Sequence, residues 1–286
     1  MDVHPRTRRG AVSHAHRTTT APRGRGRRRQ GRRPPMTSTT RSSRTRPTIA
    51  LVVSSLLLAA CGTDTPPRSD ERDFPLEAPR LTIDTGNFDL RVVPGSDGTV
   101  TVRRTLTGMA AEDGNATWAL EGEDLILHAR CEGFSPGCGA SFEVAVPPDT
   151  TLTLRAEAGH IGATDIPNDL EIHNTNGTVD LAHVAGEVDV TGVAGAITGT
   201  RLRSPAVRVH SENGSVRLGF TSAPDTVDAV SRHSSVTVTL PPDETYAINA
   251  TSEHDRADVE LPNDPTSPRD IRAANVNGGA VLVRAG

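Results

Sequence analysis

Three cysteines, a scatter of histidines and a few spaced carboxylates are the residues of this 286-residue chain whose chemistry could reach beyond folding. Cys61 stands alone, while Cys131 and Cys138 flank Glu-Gly-Phe-Ser-Pro-Gly. Six intervening residues do not match the CxxC spacing of metal or redox sites, and His128 alone lies nearby, so a four-ligand zinc site would be incomplete. Beyond residue 60 the histidines are His128, His160, His173, His183, His210, His233 and His254. His173 and His210 each precede a turn glycine by four residues, but Thr191 holds that place in the unit between them. On strands of one sheet they would stand about 9.5 Å apart, too far for one metal ion. Asp165, Asp180, Glu187 and Asp189 could line a face for calcium or a cationic partner. The dense Gly-Gly-x-Gly-x-Asp repeat of calcium-loaded β-rolls is missing, so these acids read as a solvated face. Nucleophile elbows, phosphate loops and zinc-protease helices are also missing from the sequence. No catalytic residue, metal site or cofactor is expected.

Cys61 has a different chemistry. From Met36 the chain reads a charged stretch with Arg41, Arg44 and Arg46, an apolar run from Ile49 to Leu58, and then Leu58-Ala59-Ala60-Cys61. The run is too short to span about 30 Å of hydrocarbon comfortably and fits a removable signal. It resembles a bacterial lipoprotein signal, with Leu58, Ala59, Ala60 and Cys61 as the lipobox. That resemblance implies a diacylglyceryl group on the Cys61 thiol and cleavage just before it. An ordinary secretory signal with a coincidental cysteine is the competing reading. With Cys61 committed to lipid and the chain outside the reducing cytosol, Cys131 and Cys138 are expected to form a disulfide.

Charge divides the chain at the same place. All 31 basic residues are arginine; residues 1–60 hold 14 of them against one acid, and residues 61–286 hold 17 against 34 acids. Residues 1–35 lack apolar periodicity and are expected to be disordered. With a signal of normal proportions starting at Met36, the arginine-rich head reads as a mis-assigned start, not as a nucleic-acid arm. After Cys61, residues 62–78 read as a flexible tether.

The elements that must position any site are strands. With 2% aromatic residues the core must be aliphatic. From Leu152 a pattern recurs: two apolar residues one apart, a short polar step, a small turn residue, and two more apolar residues one apart. Successive turn positions, Gly159, Gly177, Gly195, Gly214, Ser234, Ala257 and Gly279, lie 18, 19, 20, 23 or 22 residues apart. A period of that size predicts a β-solenoid in which each copy is one coil of about 18–23 residues. The residues two after the turn, Ile161, Val179, Ile197, Val216, Val236, Val259 and Val281, are all β-branched, the type that packs best on a pleated surface. Asn176-Gly177, Asn213-Gly214 and Asn277-Gly278 supply residues that tolerate positive φ at the turns. Upstream, Ser96-Asp97-Gly98 marks a hairpin between Leu90-Arg91-Val92 and Val100-Thr101-Val102, and a second pair of strands flanks Glu121 to Asp124. A meandering β-sandwich is the competing architecture, since Asn-Gly between alternating strands is also a hairpin signal.

Residues 81–284 resemble an exported bacterial "putative adhesin" domain family of unknown function. The resemblance rests on Thr85-Gly-Asn-Phe-Asp-Leu90, Val146-Pro-Pro-Asp-Thr-Thr-Leu-Thr-Leu154, the Asn-Gly-Thr-Val and Asn-Gly-Ser-Val steps, and Val238-Thr-Leu-Pro-Pro-Asp243. It implies a single-stranded β-solenoid and carries no site residues across. Together these features predict a lipid-anchored protein on the extracytoplasmic face of the membrane, non-catalytic, presenting its solenoid to an envelope glycan or protein and not to nucleic acid. A structural or envelope-sensing accessory of a membrane protein is a second reading. A glycan-active β-helix enzyme is a third, and it would need a clustered acid/base set in a cleft that these short turns do not build.

Overall fold

The computed structural model describes residues 66–286 apart from Phe134. Cys61 and its lipobox residues Leu58, Ala59 and Ala60 lie outside the described residues, as does the arginine-rich head. Alternation of apolar and polar residues produces most of the strands. In order they are β1 (Arg68–Pro75), β2 (Arg80–Asp84), β3 (Asp89–Pro94), β4 (Thr99–Thr107), β5 (Ala116–Glu121), β6 (Asp124–Ala129) and β7 (Gly139–Val146). The repeat then supplies β8 (Thr151–Ala158), β9 (Ile161–Thr164), β10 (Leu170–Asn176), β11 (Val179–Ala182), β12 (Val188–Ala194), β13 (Ile197–Leu202) and β14 (Ala206–Ser211). The last are β15 (Val216–Phe220), β16 (Thr226–Ser231), β17 (Val236–Leu240), β18 (Ala247–Ser252), β19 (Ala257–Val259), β20 (Asp270–Asn275) and β21 (Val281–Ala285). A four-residue 3-10 turn, Gly108–Ala111, is the one helical element among the described residues.

The protein is all-β, with its strands in two large sheets. Sheet A runs β1-β4-β7-β3-β9-β11-β13-β15-β17-β21-β19, and sheet B runs β18-β20-β16-β14-β12-β10-β8-β2-β6-β5. From β8 to β17 successive strands alternate between the sheets, and each pairs in parallel with the strand two places on. Leu152 and Leu154 of sheet B and Ile161 of sheet A belong to one buried apolar cluster, so the sheets share a single core. Two sheets across one core is the feature that the sandwich reading anticipates.

Sheet A carries the apolar column. Phe142, Leu90, Ile161, Val179, Ile197, Val216, Val236 and Val281 stand in register on neighbouring strands, and each is at most 2% exposed. Each such side chain contributes about 1.5–3 kcal/mol by leaving water. Val259 is the exception to the expected column. It pairs with Val283, not Val281, and is 40% exposed. The exposure follows from the order of stacking: β20 and β21 lie directly against β16 and β17, and β18 and β19 pack outside them. Val259 is therefore on an outermost strand with no neighbour beyond to cover it.

The opposite end departs from expectation in two ways. Ser96 to Gly98 does turn the chain, but β3 and β4 do not pair; β7 lies between them, parallel to β3 and antiparallel to β4. The connection steps over the end of β7 at Gly95, where a Cβ would come within 2.8 Å of the Ala145 carbonyl carbon. The hairpin around Glu121 to Asp124 forms as β5 and β6. The expected tether over residues 62–78 also ends early, because Arg68–Pro75 is a strand paired with β4 over eight residues. Its alternation is hidden in the sequence because only Phe74 of β1 points into the core.

Turn chemistry differs too. Gly278 does take a positive φ of 115°, but Gly177 and Gly214 do not. They are glycines because the coils approach so closely there: a Cβ on Gly177 would collide with the Gly159 carbonyl, and one on Gly214 with that of Gly195.

Candidate functional site

The outer face of sheet B is where the fold aligns polar side chains in rows. Alternation sends Leu170, Ile172, Val188, Val190, Val207 and Val209 inward, so their neighbours must point out. Parallel pairing then places Glu171, Asp189, Arg208, Asp228 and Arg272 side by side, one per strand. Beside this row runs a second one, with Asp169 and Glu187 at one end, the small residues Ala206 and Thr226 in the middle and Asp270 at the other end. Between tall charged side chains and small ones the surface is concave, a groove of about 640 Å³ crossing β8, β10, β12, β14, β16 and β20.

Ion pairs stiffen the tall wall. An Arg208 guanidinium nitrogen lies 3.0 Å from Asp189, and Arg272 lies 2.7 Å from one oxygen of Asp228. The other Asp228 oxygen is 3.3 Å from the His210 ring, and Glu171 is 2.9 Å from that of His173. Asp169 accepts the Glu187 backbone N–H at 2.8 Å. The half of the groove over β10 and β12 is therefore dominated by carboxylates, and the half over β14 to β20 mixes both signs. Such a face can hold an extended polar partner by many weak contacts. It offers no activated nucleophile, and among the described residues no cluster of three or more His, Cys, Asp or Glu is placed to hold a metal ion.

The structure separates most of the residues singled out in the sequence. Asp165 lies 3.0 Å from His183, and Asp180 lies 3.5 Å from His160 on the sheet A side, whereas Glu187 and Asp189 line the sheet B groove. His173 and His210 share a register position with Thr191 between them, two strands apart. Cys131 and Cys138 form a disulfide with Cα atoms 5.8 Å apart. Sequence reasoning passed over Asp169, Glu171, Arg208 and Arg272. The signal was present for the first pair, since Asp169 and Glu187, like Glu171 and Asp189, are one 18-residue period apart. It also passed over Asn168, which is 4% exposed and whose amide nitrogen donates to the carbonyls of Pro147 at 2.9 Å and Thr150 at 2.6 Å. That side chain pins the Pro147 to Thr150 step that leads into the repeat.

No family model matches the chain. No curated protein matches it either. Among solved structures, the chain is similar to a "putative adhesin" from Bacteroides fragilis, with 15% identity and a TM-score of 0.49 over 77% of this chain and 97% of that one. A "putative lipid binding protein" from Parabacteroides distasonis aligns at 12% identity and a TM-score of 0.43, covering 74% and 96%. A "putative cell adhesion protein" from Clostridium sporogenes aligns at 11% identity and a TM-score of 0.37, covering 77% and 100%.

Proposed function

We propose that this chain is a non-catalytic binding protein: a β-solenoid held on the extracytoplasmic face of the cell membrane by lipid on Cys61, using the sheet B groove to hold an envelope glycan or protein. The observation that carries the reading is the row Glu171, Asp189, Arg208, Asp228 and Arg272, one charged side chain per strand along an open groove. Repetition at the sheet spacing of about 4.8 Å suits a partner that is itself extended and repetitive. The solenoid reading is supported by the winding from β8 to β17, in which each coil gives one strand to each sheet and pairs in parallel with the next. Leu58-Ala59-Ala60-Cys61 supports the anchor, and two acyl chains at about 0.8 kcal/mol per buried methylene hold a protein firmly at a bilayer. The Cys131–Cys138 disulfide fits an oxidising compartment.

The test mixes the chain from Gly62 onward with purified envelope fractions and pelleted polymers. Saturable binding to one fraction, lost in a Glu171→Gln, Asp189→Asn, Arg208→Gln triple variant that still folds, is the expected result. Sedimentation with no fraction, or binding unchanged in the triple variant, removes the groove from the account. Separately, Cys61→Ala should release the protein from membranes; full retention of that variant would sink the anchor.

A further inference from the structure

The position of β1 fixes how such an anchored domain would stand. This inference rests on the lipid at Cys61. Only six residues, 62–67, separate Cys61 from Arg68, the first residue of β1. At no more than about 3.6 Å per residue they reach about 25 Å. Several contacts stop β1 from peeling away to lengthen that leash. It pairs with β4 along its whole length, Arg103 holds Glu71 at 2.6 Å, and Arg104 holds Asp70 at 3.1 Å. Phe74 is buried edge-on against Trp118, centroids 6.5 Å apart, and the Arg104 guanidinium lies 3.9 Å from the Trp118 ring centre.

β1 is the outermost strand of sheet A, and at the same end of the stack β5 is the outermost strand of sheet B. The opposite end is the coil of β18 and β19. Ten strands of sheet B make nine spacings of about 4.8 Å, which places that coil about 40 Å from β5. We infer that the domain stands end-on, its β1 and β5 end against the lipid headgroups and its β18 and β19 coil at the outer tip. The groove then climbs along the membrane normal with its length open to the envelope.

The experiment uses the full lipidated chain in vesicles of phosphatidylglycerol and phosphatidylethanolamine carrying a headgroup-labelled acceptor. A donor dye is placed on Glu121→Cys at the end of β5 or on Asp258→Cys in β19, both exposed positions. Energy transfer from position 121 should exceed that from position 258 several-fold, and a twenty-residue Gly/Ser insertion after Pro67 should narrow the gap. Equal transfer from both sites, with both proteins on the vesicles, overturns the end-on arrangement while leaving the anchor intact. Recovery of both proteins off the vesicles overturns the anchor itself, and the arrangement with it.

Discussion

The hydroxyl of Ser231 donates to the carbonyl of Gly214 at 2.9 Å, one coil away, and accepts the N–H of Ser234 at 3.1 Å in its own turn. The same device recurs along one corner of the stack. Gly214 N–H donates to Ser211 Oγ at 2.9 Å, and Gly278 N–H donates to Asn275 Oδ1 at 2.7 Å. Ser211, Ser231 and Asn275 stand in register and are buried. Ser231→Ala would leave a donor in its own turn and an acceptor in the next coil without this partner. A loss of about 1–3 kcal/mol is expected, seen as a lower urea midpoint at unchanged slope. An unchanged midpoint would mean that water replaces the hydroxyl.

Gly177→Ala separates close approach from backbone conformation. The added methyl would strike the Gly159 carbonyl, a backbone atom that cannot rotate aside. Gly86 has a positive φ of 56° but open space around it, so Gly86→Ala meets only conformational strain, about 1–2 kcal/mol. Unfolding should therefore show Gly177→Ala as the more damaging, and its coils should lose hydrogen-exchange protection first. The reverse order would return the turn glycines to the role that the sequence suggested.

The period and the apolar alternation were legible because every coil buries the same two faces, so each column repeats its residue type. Ile161, Val179, Ile197, Val216 and Val236 announced five successive coils. What the sequence hid were relations between elements far apart. Nothing local says that β7 lies between β3 and β4, or that β20 and β21 lie inside β18 and β19, since a strand fits beside any neighbour of matching pattern. The groove was half legible for a similar reason. The acids recur with the period, but Arg208 and Arg272 gain meaning only when register places them beside Asp189 and Asp228.

The swapped order of the last two coils predicts a contrast between two valines that the sequence treats as equivalent. Val236 is fully buried between Val216 and Val281, so Val236→Ala removes packed methyl groups on both sides. A cost of about 1–3 kcal/mol is expected. Val259→Ala, at an exposed edge, should cost less than about 0.5 kcal/mol. Equal losses in denaturant unfolding would indicate that β18 and β19 pack directly on β16 and β17 in solution.

Asp70 gives the attachment of β1 a pH dependence of defined sign. Partial burial pushes its carboxyl up, but the hydrogen bond from Arg104 and the charge of Arg68 at 3.0 Å outweigh this and hold it below the usual carboxylate range. A carboxyl that titrates lower in the folded state than in the unfolded one adds stability above about pH 4 and loses it as pH falls through the folded value. Asp70→Asn removes that contribution at neutral pH and has none to lose in acid. The melting temperature of the variant should therefore lie below that of the parent at pH 7, and the gap should narrow as pH falls below about 4 and through the folded value. A gap that stays constant across this range would assign the effect of the substitution to packing and not to the charge that Arg68 and Arg104 hold.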